Sequence, residues 1–81
     1  MSNQGTILSQ GDRGEAVAAL QSGLLSLGLD LGKHGADGIF GPATRKAVER
    51  FQVDQGFPLT GQWGEEEEAA LQHRRALQAG I

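Results

Sequence analysis

The stretch DGIFGPATRKAVERFQ, residues 37–52, sets a glycine-bracketed aromatic and a Gly-Pro step directly ahead of helix-like text. TGQWGEEEEAALQHRR, residues 60–75, repeats that layout 23 positions later. Self-similarity at a fixed spacing means that one supersecondary unit is used twice. At this offset Asp37 aligns with Thr60, Gly38 with Gly61, Phe40 with Trp63 and Gly41 with Gly64. Further along, Thr44 aligns with Glu67, Ala47 with Ala70 and Val48 with Leu71. Gly38 and Gly61 permit tight turns, and Phe40 and Trp63 are each expected to anchor a turn against a common core.

The repeat leaves room for little else. An 81-residue chain makes one domain at most, and a core of that size supplies only about 3–5 kcal/mol unaided. We expect an N-terminal tail over residues 1–7 and a domain over residues 8–81. No cysteine is present, so disulfide staples and thiolate metal sites are excluded and stability has to come from packing.

Three helices are legible. Val17, Leu20, Leu24 and Leu27 fall at spacings of three, four and three, one face of a first helix that Gly28 ends in left-handed conformation. Gly23, in mid-helix, costs up to about 1 kcal/mol relative to alanine and points to close approach by a neighbour. The second helix starts at Pro42, whose missing N–H costs nothing in the first turn, with Gly41 as its cap. Thr44, Ala47, Val48 and Phe51 form its buried stripe, and Gly56 and Pro58 end it, leaving Phe57 and Leu59 as candidate core plugs. Gly41→Val is expected to lower stability at this junction. The third helix follows Gly64, with Glu65 to Glu68 complementing its dipole and Ala70, Leu71 and Leu77 as apolar positions. Residues 29–39, rich in glycine and without period, read as a surface loop of the kind that carries binding. The expected fold is all-α, a compact three-helix bundle with two loop-to-helix repeats.

Charge and hydropathy narrow the partners. A net charge of −3 offers no footprint for nucleic acid or anionic lipid, and no apolar run reaches the 18 or so residues needed to span a bilayer. The N-terminal text has neither a basic region nor an apolar run of a secretory signal. Delivery by a phage or particle, or excision from a longer exported protein, is therefore expected.

Together these residues resemble the peptidoglycan-binding type 1 domain, a three-helix module of cell-wall hydrolases, amidases, phage lysins and zinc carboxypeptidases. The resemblance runs through Leu8, Gly11, Gly14, Val17, Leu20, Gln21, Leu24, Leu27 and Gly28 in the first helix region. It continues through Asp37, Gly38, Phe40, Gly41, Pro42, Thr44, Ala47, Val48, Phe51 and Gln52, and ends with Gly61, Gly64 and Leu71. In the second copy Thr60 stands where the family has Asp, Trp63 where it has an aliphatic or aromatic residue, and Glu67 where it has Thr. The resemblance implies non-catalytic binding of peptidoglycan, through stem peptide and glycan, at the cell envelope. It carries no cofactor. The alternative is a protein-docking module that reuses the scaffold in a phage or secretion assembly.

The residues point the same way. Serines at 2, 9, 22 and 26 have no His and acid nearby in sequence, and His34 and His73 are the only histidines, so an enzyme is not expected. Asp30, His34 and Asp37 fail the ligand count of a calcium loop and lack spacing-matched partners for zinc, so no metal is expected. A muropeptide needs donors for carboxylates and carbonyls, which the N-terminus of the second helix supplies. Around such a groove we place Gln21, Lys33, His34, Arg45, Lys46 and Gln52, while Gln21 and Gln52 are equally candidates for structural amides. Asp37 reads as an acceptor within its own turn or as a ligand contact, and Trp63 as core or as a stacking surface for a sugar.

Overall fold

The structure, a computed structural model, describes residues 7–78. Helix α1 spans Glu15–Ser26, α2 Pro42–Gln55 and α3 Glu65–Gln78. The only pairings outside the helices, among the described residues, are two isolated antiparallel bridges, so the all-α bundle stands. None of these helices is long and apolar enough to cross a membrane.

Helix α1 packs against both α2 and α3. Val17, Leu20 and Leu24 meet Ala47, Val48 and Phe51 of α2 and Leu71 of α3 in one cluster, closed by Phe40 and Trp63 from the two turns. Gly23 is what lets α3 approach: a Cβ there would fall 2.5 Å from Leu71 Cδ2. Leu27 lies at the edge of this core, half-buried.

Three expectations about the core need correction. Leu59 is 61% exposed and Leu77 64% exposed. Leu59 sits in the turn after Pro58, outside the bundle, and Leu77 lies on the last turns of α3, where all the described residues after Leu71 are exposed. Leu31, assigned to a surface loop, is buried at 2% exposure and pins the middle of residues 29–39 onto the bundle.

The segment before α1 has a larger role than its sequence suggests. Leu8 exchanges both backbone hydrogen bonds with Trp63, at 2.9 and 2.8 Å, while Gly11 N–H bonds Phe40 O and Phe40 N–H bonds Asp12 O, both at 2.9 Å. Gly14 N–H then reaches Gly38 O at 2.9 Å. One segment, turned once between Ser9 and Asp12, therefore clamps both aromatic turns, satisfying backbone groups that the loops would otherwise leave unpaired. Of the proposed tail, residues 1–6 lie outside the described residues.

Candidate functional site

The loop ahead of α2 is built around a buried glutamine. Gln21, fully buried on α1, donates from Nε2 to Thr44 Oγ1 at 2.8 Å, Ile39 O at 2.9 Å and Asp37 Oδ1 at 3.3 Å. Its Oε1 accepts the Gly38 N–H at 2.8 Å. Carbonyl and carboxylate oxygens can only accept, so this set of partners fixes which end of the amide is which. Asp37 Oδ1 also accepts the Ile39 N–H at 3.0 Å, closing an Asx turn.

Gln52, fully buried on α2, repeats the arrangement for the second loop. Its Nε2 donates to Gln62 O at 2.9 Å, Glu67 Oε2 at 2.9 Å and Thr60 Oγ1 at 3.0 Å, and its Oε1 accepts from Gly61 and Thr60. Thr60 Oγ1 accepts the Gln62 N–H as Asp37 accepts that of Ile39. The departures at Thr60 and Glu67 are thus one exchange: acid and hydroxyl trade places between the turn and the third helical residue. Either way the glutamine meets one of each, and no buried side-chain polar atom among the described residues lacks a partner.

The exchange changes the helix starts. Glu67 Oε1 accepts the Gly64 N–H at 2.9 Å, so α3 is capped by its own carboxylate, half of a capping box. No side chain caps α2, whose first turn carries Pro42 and no acid. Above it lies an open groove of about 400 Å³, lined by Leu31, His34, Gly35, Asp37, Ile39, Gly41, Pro42, Ala43 and Thr44. The second copy forms a smaller depression of about 180 Å³, lined by Ile7 and by Pro58, Thr60, Gln62, Gly64, Glu66 and Glu67, the repeat equivalents of Gly35, Asp37, Ile39, Gly41, Ala43 and Thr44.

Asp37 is ionised more readily than an ordinary aspartate. The Ile39 N–H contributes most to holding its carboxyl below the usual 3.8, desolvation opposes the shift, and the Gln21 amide and the charge of His34 add to it.

The expected site residues divide. His34 and Asp37 line the first groove, Lys33 is exposed beside His34, and Gln21 lies beneath as a structural amide. Arg45 and Lys46 are exposed on α2 and do not line the groove. Arg45 pairs with Glu49 at 3.1 Å and lies over the Gly61 turn, where a Cβ would fall 2.8 Å from its Nε. Gln52 and Trp63 belong to the second copy. Trp63 is 3% exposed, its ring 5.1 Å from that of Phe51 and its Nε1–H bonded to Glu68 Oε1 at 3.0 Å. It therefore serves the core, with no ring face open for a sugar.

Sequence reasoning missed Leu31, Gly35, Ile39 and Ala43 as walls of the groove. Ile39, 47% exposed beside the buried Phe40, could have been found from the alternation of an extended pair. Among the described residues no group of three or more His, Cys, Asp or Glu side chains is placed to hold a metal ion.

A family model described as "Putative peptidoglycan binding domain" matches residues 13–71. The chain is 49% identical over 49 residues to the type VI secretion system spike protein VgrG3 of Vibrio cholerae, covering 60% of this chain and 5% of that protein. It is 42% identical over 67 residues to the N-acetylmuramoyl-L-alanine amidase CwlL of Bacillus licheniformis, covering 83% of this chain and 19% of the amidase. It thus spans less than a quarter of either relative. Among solved structures, the SleB N-terminal domain superposes with a TM-score of 0.79 at 36% identity, over 91% of this chain and 96% of that one.

Proposed function

Because the chain belongs to the peptidoglycan-binding domain family, we propose that it holds bacterial cell-wall peptidoglycan, without cutting it, in the groove at the start of α2. It would act at the cell envelope as the anchoring or targeting part of a larger protein or particle. The observation that carries the reading is the contrast between the two helix starts: α3 is closed by Glu67, while α2 opens onto a groove of about 400 Å³. Free first-turn N–H groups donate to the carbonyl and carboxylate oxygens of a stem peptide. Leu31, Ile39, Pro42 and Ala43 supply apolar walls for its short aliphatic side chains. His34 and Asp37 border the same space, with Lys33 beside them. Arg45 and Lys46 have no part in this reading.

Sedimentation with purified peptidoglycan sacculi, with cellulose as control and an assay for soluble fragments, tests it. Retention on sacculi alone, with nothing released, is the expected result. Loss of retention by a folded protein would refute binding, and released fragments would refute the absence of catalysis.

The likeness to the VgrG3 spike protein favours one second reading, in which the module docks on a protein within a secretion assembly. Retention on sacculi separates the two.

A further inference from the structure

The repeat supplies its own comparison for what the first groove holds. In the second copy the Glu67 carboxylate takes the Gly64 N–H on Oε1 and the Gln52 amide on Oε2, each at 2.9 Å. The equivalent groups of the first copy are the Gly41 N–H and the Gln21 amide. Thr44, at the position of Glu67, is two carbons shorter. Its hydroxyl reaches the Gln21 amide at 2.8 Å, and no side chain extends to Gly41. The Gly41 N–H turns instead to Ile39 O, at 3.0 Å across a three-residue turn, a bond of poorer angle than a carboxylate above it would make. The first groove is also the larger, about 400 Å³ against about 180 Å³, with Leu31, His34 and Pro42 adding walls that the second copy lacks.

We propose that the first groove is a receptor for a free carboxylate at the end of a peptide, seated over Gly41 and the α2 first turn as Glu67 is seated over Gly64. The inference rests on the peptidoglycan reading and narrows it: the bound element is the C-terminal carboxylate of a stem peptide rather than the glycan. Asp37 is the one carboxylate in the lining. Its Oδ1 is engaged by the Ile39 N–H and the Gln21 amide, and His34 shares the groove. Residues such as Ile39 and Ala43 would flank the adjoining methyl groups.

The test titrates ¹⁵N-labelled full chain with N-acetyl-D-alanyl-D-alanine and, separately, with its C-terminal amide. The acid is expected to shift the Gly41, Ala43 and Thr44 amides and to bind about tenfold or more tighter than the amide, the margin of a hydrogen bond to a charged partner. The double variant Asp37→Thr, Thr44→Glu gives the first copy the residues of the second, a set this fold already carries. It should retain the parent spectrum elsewhere and lose the response. Equal binding of acid and amide, shifts centred away from the α2 start, or an undiminished response in the folded double variant would overturn the proposal. Should the variant not fold, the comparison of acid with amide on the parent still decides. Retention on sacculi together with equal binding of acid and amide would sink this inference alone, whereas failure to sediment with sacculi would sink the reading beneath it.

Discussion

At the residue scale, two buried glutamines hold the molecule's loops. Gln21 and Gln52 each occupy a position that helical period assigns to the apolar face, and each bonds the backbone of a loop well separated in sequence. Truncating either to alanine strands several buried groups at once, at about 1–3 kcal/mol for each group left unpaired. Gln21→Ala and Gln52→Ala should therefore each lower the melting temperature clearly in calorimetry, while a change at the exposed Gln72 should not. Asp37 adds a pH dependence. Its carboxyl titrates below the usual value chiefly because the ionised form accepts the Ile39 N–H. The unfolded chain therefore binds the proton more readily, so the stabilisation is present above pH 3.8 and is lost as pH falls through the lower folded value. Carboxyl NMR should place the Asp37 midpoint below the usual 3.8, and Asp37→Asn should lose less stability than the parent over that acid range.

At the element scale, the helices were legible and the way the loops are tied was not. Periodicity and the Gly-Pro step located α1 and α2 from the sequence, because apolar spacing and a fixed φ act locally. Leu59 and Leu77 show the limit of that signal, since composition cannot tell which apolar residues lie beyond the reach of a partner. The junction before α2 shows another. Gly41 sits at φ −103° and ψ −168°, an extended conformation open to any residue, and a Cβ there meets nothing within 4 Å. The glycine that the turn requires is Gly38, at φ +80°, where a Cβ would fall 3.4 Å from Gly14 O. Gly41→Val is thus expected to cost less than about 1 kcal/mol, a helix-cap effect. Gly38→Val should cost about 2 kcal/mol or more, for a branched residue held left-handed. Urea denaturation of the two variants checks the order; equal losses would remove the distinction.

At the scale of the whole molecule, one bundle carries two copies of a loop-to-helix unit that share a core and a clamp but differ at their surfaces. The doubling could be read from spacing, and the family from the resemblance of its motif residues. The clamp could not, because residues 8–14 join the two turns through backbone hydrogen bonds that leave no side-chain pattern. Part of the groove's lining was legible: His34 and Asp37 were expected near the start of α2 and border the groove there. That Arg45, Lys46 and Trp63 lie away from this groove was not legible, because sequence does not show which side of α2 faces it or that the indole turns inward onto Phe51. The division of labour between the copies is the central claim, and Ala43 and Glu66 probe it most directly. They are exposed, equivalent by the repeat, and line one groove each. Tryptophan at either position fills its groove without entering the core. Binding isotherms on sacculi should show Ala43→Trp weakened about tenfold or more, as when a well-packed ligand contact is lost, with Glu66→Trp close to the parent. The reverse order, or full binding by a folded Ala43→Trp variant, would contradict the assignment of binding to the first copy.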